Sequence, residues 1–342
     1  GEVIIRDLKT SRKISTSYGL TEGTYATILP NNYYRASKDA FNYIHFTQGL
    51  DVFTFENFDL VLNRPDIVAK ALGSKDEMLI EAYYKAYQKR LKKMGFNENQ
   101  IITDLHLPEV SILSNDFPLL TDQNSIDVSI SAKDTKYTLD RINVYVNGVP
   151  IFGSKGKSIK TSAVKNYKET IAIQLSSGQN KIQFSVHNST GVESIRKTMS
   201  IRNTNEVKGE TYIVSIGVSE YNDATFNLNY AAKDAKDVGG IFAADSTHLF
   251  LITNQNATKE KIVSVKNSLM KTTINDMVVV FVAGHGLLDQ NLDYFIATHD
   301  VDFDQPSNRG LLYEDLESLL DGIPARKKLM LRAKTESKRL KD

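Results

Sequence analysis

The sequence predicts a multidomain chain: a mixed N-terminal segment, a β-sandwich, and then an incomplete α/β domain on a parallel sheet. Three observations predict it. Apolar residues alternate with period two between about Pro108 and Ile201. After the polar linker Asn203 to Lys208 the pattern becomes strand, helix, strand, helix. One run, Val278 to Ala283, is apolar without a break, as in a strand buried on both faces. With 342 residues, 41% hydrophobic and 24% charged, the chain is long enough for two or three such units.

Residues 1–106 are the mixed segment. EVIIRDL and TYATIL read as short strands, and the aromatic run Tyr33, Tyr34, Phe41, Tyr43, Phe46, Phe53, Phe55 and Phe58 reads as core packing, since no basic groove accompanies it. Asn63 is expected to cap a short helix with Pro65 in its first turn. A second helix is expected from a Ser74/Glu77 capping box to Gly95. Met78, Leu79, Ala82, Tyr83, Ala86 and Leu91 form its apolar stripe, and Lys85, Lys89, Arg90, Lys92 and Lys93 its solvated face.

Residues 107–205 alternate at Ile126, Val128 and Ile130, at Ile142, Val144 and Val146, at Ile171 and Ile173, and at Ile182, Phe184 and Val186. Asn147-Gly148 and Ser177-Gly178 are read as hairpin turns. Short strands at this spacing predict an immunoglobulin-like β-sandwich serving as a spacer or binding module. Gly153 to Ser158 ends in the GKS of a phosphate-binding loop. Ile151 stands where the first glycine must be and no helix follows, so the stretch is read as a loop between strands.

Residues 209–342 carry the α/β pattern. Tyr212 to Gly217 is a buried strand, and Leu228, Ala231, Ala232, Ala235, Val238, Ile241 and Phe242 mark one helix face. His248 to Thr253 is a second strand, and Ile262, Val265 and Leu269 mark a second helix. The central strand ends in Gly284-His285-Gly286. In open α/β sheets chemistry collects at the carboxyl ends of strands, which makes His285 a candidate catalytic residue. Beyond it come Tyr294 to Ala297, a helix with Leu312, Leu316, Leu319 and Leu320, and a last strand from Lys328.

Composition excludes several functions. There is no cysteine, hence no disulfide, thiolate zinc site or thiol nucleophile, and a cytoplasmic setting is expected. The opening GEVIIRDLKT has neither an initiator Met nor a signal peptide and reads as the interior of a longer protein. Ala325 to Asp342 carries +6, against −5 for the rest. This tail, with residues 332–342 as its end, has no interleaved aromatics, so no nucleic-acid partner is expected, and no apolar run is long enough for a membrane span.

The ordered set of IGVSEY (Ile216 to Tyr221), YAAKDAKDV (Tyr230 to Val238), VVVFVAGHG, YFIATHDVD (Tyr294 to Asp302) and LLYEDLESLL followed by KKLML resembles the bacterial caspase-like and metacaspase peptidases over about residues 209–331. The arrangement before it, NRPDIVAKAL ahead of a β-sandwich, is similar to multidomain members with an upstream repeat propeller, of which Gly1 to Thr10 would be the last part. The resemblance implies cysteine-type endopeptidase activity. His285 would be the catalytic histidine and Gly286 its oxyanion and turn residue, while Asp234 would bind a basic side chain preceding the cleaved bond. The family's cysteine stands in an aspartate-x-cysteine-histidine-serine-glycine run after Leu329-Met330-Leu331. Here Arg332, Ala333, Lys334 and Thr335 stand there instead, so the chain is expected to be inactive and truncated before the nucleophile. Partners would be protein or peptide substrates, or a second copy of the chain.

Two rival readings have their own residues. Ser219 would be an alternative nucleophile, but GVSEY lacks the second glycine of a nucleophile elbow. Asp300, Asp302 and Asp304 would suit calcium, which some metacaspases use. The EF-hand glycine and distal glutamate are missing, so no cofactor is expected. The remaining alternative is a non-catalytic interaction module acting through the β-sandwich and the caspase-like surface.

Overall fold

The computed structural model describes residues 1–48, 51–113, 117–160, 163–243 and 248–333. Lys334 to Asp342, the second half of the predicted basic tail, lie outside the described residues. Four strands, β1 (Glu2–Arg6), β2 (Lys13–Gly19), β3 (Tyr25–Ile28) and β4 (Tyr34–Ala36), form an antiparallel meander, and β5 (Phe46–Gln48) pairs β6 (Asp51–Phe53). Beside them lie α1 (Asp59–Leu62), α2 (Pro65–Ala71) and α3 (Glu77–Lys93). Tyr34, Phe53, Phe55 and Phe58 are the buried centre of this segment, which accounts for its aromatic run.

The helix boundaries there differ from expectation. Asn63 bonds the Asp59 carboxylate instead of capping, and Pro65 opens α2 directly after Arg64. Asp76, not Ser74, caps α3 by accepting from Leu79 N at 2.9 Å. Met78 is 82% exposed, so the buried stripe of α3 is Tyr87 and Leu91. Its basic face is not simply solvated: Lys89 pairs with Asp293 and Lys93 with Glu317, both in the α/β region.

The middle region has β7 (Glu109–Ile112), β8 (Leu120–Thr121), β9 (Ser125–Lys133), β10 (Leu139–Val146), β11 (Val149–Pro150), β12 (Lys157–Ser158), β13 (Asn166–Gln174), β14 (Gly178–Asn188) and β15 (Lys197–Asn203). One sheet runs β11-β10-β14-β15-β8, with β12 also on β10, and the other β13-β9-β7. Val128, Ile130 and Ile173 from one sheet share a core with Ile142, Val144, Ile182 and Phe184 from the other, which makes a β-sandwich. Asn147-Gly148 turns β10 into β11, both residues at positive φ, as a two-residue hairpin requires. Ser177-Gly178 is not a hairpin. β13 pairs β9 while β14 pairs β10 and β15, so the chain crosses there between sheets.

The other faces of β10 and β14 are also covered. Arg141, Asn143, Ser185 and His187 are buried, with the rings of Phe96 and His187 6.0 Å apart. After β14 the chain enters the N-terminal core through Val192, and Asn57 Nδ2 donates to the carbonyls of Glu193 and Ser194 at 3.0 and 2.9 Å.

The last region holds β16 (Thr211–Gly217), α4 (Ala231–Ala243), β17 (His248–Thr253), α5 (Lys259–Ser264), α6 (Lys266–Leu269), β18 (Met277–Ala283), β19 (Gly286–Leu288), β20 (Tyr294–Ile296), β21 (Leu311–Leu312), α7 (Tyr313–Ser318) and β22 (Lys327–Arg332). Four strands form a wholly parallel sheet in the order β17-β16-β18-β22. Val214, Ile216, Val278, Val280 and Val282 pack on α5, α6 and α7 through Ile262, Leu269, Leu316 and Leu319. Phe281 and Ala283 face Ala231 and Ala235 of α4. Both faces of β18 are thereby covered, the reason for its unbroken apolar run. Ile241, assigned to the buried face of α4, is 73% exposed. The described residues are therefore β-rich, with several antiparallel sheets, a mixed sheet in which β8 runs parallel to β15, and a wholly parallel sheet.

Candidate functional site

His285 follows β18 at the carboxyl edge of the parallel sheet and is 9% exposed. Its backbone N–H donates to the Tyr221 hydroxyl at 3.2 Å, and its carbonyl accepts from Ala297 N at 2.9 Å. The ring Nε2 lies 2.8 Å from the Phe226 carbonyl. A carbonyl only accepts, so Nε2 carries the proton and Nδ1 is the ring nitrogen left to take one. Three aromatic rings surround the imidazole. Phe226 and Phe303 stack at 3.7 Å, their edges toward His285, and Tyr221 lies 5.4 Å away. Burial pushes the Tyr221 phenol up to about 12, so it stays neutral at physiological pH.

Gly286 begins β19 in the small antiparallel sheet β19-β20-β21, which the sequence did not announce. Any side chain there would overlap the Tyr294 phenol, so steric room and not turn geometry demands this glycine. The Tyr294 hydroxyl accepts from Arg332 at 2.9 Å, and the guanidinium lies over the Tyr294 ring. Arg332 itself is in register with Val282, and Ala333 N donates to the Val282 carbonyl at 3.0 Å. The end of β22 thus lies beside the strand that leads into His285.

Asp234 occupies the first turn of α4 and is half-exposed. The helix starts at the same sheet edge, because Gly217 at the end of β16 lets Ala231 and Ala235 come against its backbone. Asp234 and His285 therefore belong to one edge of the sheet, and no hydrogen bond joins them.

Ser219 has a structural task. Its Oγ accepts from Ala232 N at 2.8 Å, satisfying a free donor of the first turn of α4, while its own N–H donates to Asn254 Oδ1. Among the described residues no hydroxyl or amine side chain bonds the His285 ring, whose one hydrogen-bond partner there is the Phe226 carbonyl. Asp302, proposed for calcium, caps its own turn by accepting from Asp304 N and Gln305 N, and Asp300 faces Arg309 at 3.8 Å. Among the described residues no group of three or more His, Asp or Glu is arranged to hold a metal ion. Among those described residues, no helix is long and apolar enough to cross a membrane.

No family profile matches the chain, and no curated protein does. Solved structures give weak likenesses. A Geobacter sulfurreducens protein is 18% identical with a TM-score of 0.30 over 36% of this chain and 48% of its own. The fibronectin(III)-like modules of Clostridium thermocellum CbhA are 14% identical with a TM-score of 0.23, over 29% of this chain and 47% of theirs. A Bacillus cereus polysaccharide deacetylase is 11% identical with a TM-score of 0.16, over 68% of this chain and 70% of its own. The chain spans about half the length of the first two.

Proposed function

We propose that residues 209–333 are a caspase-like domain of cysteine-endopeptidase ancestry, and that this chain cleaves no peptide bond. One observation carries the reading: His285 at the carboxyl edge of a parallel strand, Nε2 held by the Phe226 carbonyl, beside the end of β22. A caspase-like peptidase attacks the scissile carbonyl with a thiolate while an imidazole manages the proton. His285 would supply the imidazole, but the sequence has no cysteine to supply the thiol: Arg332 ends β22, and Ala333, Lys334 and Thr335 follow it. In this reading Asp234 would select lysine or arginine before the cleaved bond through a charge-assisted hydrogen bond.

The test installs a thiol. Lys334→Cys is expected to alkylate with iodoacetamide along a pH profile centred below the ordinary thiol value of about 8.5, and His285→Ala in that background to restore that value. Coincident profiles would remove His285 from the proposed role. The chain without the substitution is expected to show no turnover of arginine-containing peptides.

A second reading, a non-catalytic interaction module, draws on a different observation. Leu249 and Leu251 point to one face of β17 and are 44% and 41% exposed, with Leu249 against Gly239 of α4. A second copy covering this face would give concentration-dependent sedimentation that Leu251→Glu abolishes. Sedimentation as a monomer at all concentrations would exclude the second copy.

A further inference from the structure

The seam between the β-sandwich and the α/β region contains a cleft of about 310 Å3. Its sandwich wall is Pro150, Ile151 and Ala172, and its other wall is Ile274 and Ile323. This is about twice the 150 Å3 of an engineered apolar cavity that accommodates benzene. Most side chains around it are aliphatic, with Gln174 the polar one and Arg326 the charged one.

Arg326 spends two of its five N–H donors on neutral acceptors. It donates from Nη1 to Ser176 Oγ at 3.0 Å and from Nη2 to the Gln174 carbonyl at 2.7 Å. Among the described residues no carboxylate comes within ion-pair distance of it. Burial draws the guanidinium down to about 10, with no acidic neighbour to offset the shift, and it stays charged at neutral pH. A half-buried cation with free donors and no counter-charge is an unfavourable arrangement that an anion would relieve. The aliphatic side chains of the walls favour an anion that carries an apolar body over a strongly hydrated inorganic one, which would gain nothing from them.

We propose that this cleft binds a small carboxylic acid with an apolar body, its carboxylate on Arg326 and its hydrocarbon against Ile151, Ile274 and Ile323. Walls come from both regions, so the bound acid also ties the sandwich to the α/β region. Nothing in this assignment depends on His285 or on the proposed peptidase ancestry.

The experiment uses the full chain with 4-methylpentanoate and phenylacetate, their neutral amides, and inorganic phosphate, read by thermal unfolding and by titration calorimetry. Millimolar acid is expected to raise Tm by a few degrees with measurable heat, and the amides and phosphate to do neither. Arg326→Gln is expected to abolish the shift. Ile151→Trp fills the cleft, leaves the cation in place, and is expected to abolish it too, so the test stands even if the arginine variant fails to fold. Equal shifts with acid and amide, an equal shift with phosphate, retention of the shift in Ile151→Trp, or no shift and no heat with either acid would overturn the assignment.

Discussion

At the residue scale the chemistry of the molecule is set by groups held in fixed protonation states. His187 lies in the buried polar layer between the sandwich and the N-terminal segment, where its Nδ1 meets Asn143 Nδ2 at 2.9 Å. Burial is the main cause that holds its pKa below 6.5, and Arg141 and Arg196 act the same way against the opposing pull of Glu193 and Asp140. The sign of the pH dependence follows. The folded state binds the proton less readily than the unfolded state, so the contribution of His187 is fully present above about pH 6.5 and is lost as pH falls below it. Urea midpoints measured between pH 7.5 and pH 5 should therefore fall with acid. His187→Asn, which keeps a polar partner for Asn143 and does not titrate, should flatten that profile. An unchanged profile would show that other groups govern the acid limb. Gly286 teaches a different lesson at this scale. The sequence reading valued it for a turn, whereas its neighbour Tyr294, eight positions away, is what forbids a side chain.

At the element scale the sheet edge is assembled by backbone satisfaction. Ser219 reads in sequence as a rival nucleophile, yet the first turn of α4 has free N–H groups and the serine hydroxyl is the acceptor nearest Ala232 N. Ser219→Ala is expected to cost about 1 kcal/mol in urea unfolding, the usual effect of losing a helix cap, while Ser219→Asp should recover part of it. A loss below a few tenths of a kcal/mol would mean that water replaces the hydroxyl. β18 was legible from the pattern because a parallel strand covered by helices on both faces needs a continuous apolar run. β19 and β21, three and two residues long, carry no such signal, since their pairing with β20 is decided by contact across the chain. Ser177-Gly178 shows the same limit: turn chemistry announces a reversal but not which sheet receives the next strand.

At the scale of the whole molecule Val192 packs the sandwich into the N-terminal core, and polar contacts fasten the α/β region to both. The GSKGKS stretch, discounted as a phosphate loop, docks the α/β region: Ser154 N and Oγ donate to the two oxygens of Asp321 at 2.8 and 3.0 Å. Nearby, Ser177 N donates to Asn275 Oδ1 at 2.9 Å. Asp321→Ala should raise amide exchange through residues 153–157 and cost about 1 kcal/mol, as expected for hydrogen bonds to a charged acceptor at an exposed seam. Lys89→Ala with Lys93→Ala should change unfolding by less than about 1 kcal/mol, because both ion pairs are accessible to water. If the lysine pair matters more than Asp321, the bridge from α3, not the sandwich loop, holds the α/β region.

The sequence by itself determined the order of the regions, the strands of the sandwich core, and the placement of His285 after a doubly covered strand. Each of these rests on periodic burial, which a linear pattern records. Only the tertiary structure decided that Ser219 supports a helix, that Nε2 of His285 is held by the Phe226 carbonyl, and that Arg326 lines a cleft with no carboxylate in ion-pair distance among the described residues. Those properties belong to groups far apart in the chain. Their hydrogen bonds and charges acquire meaning only when folding sets the distances between them.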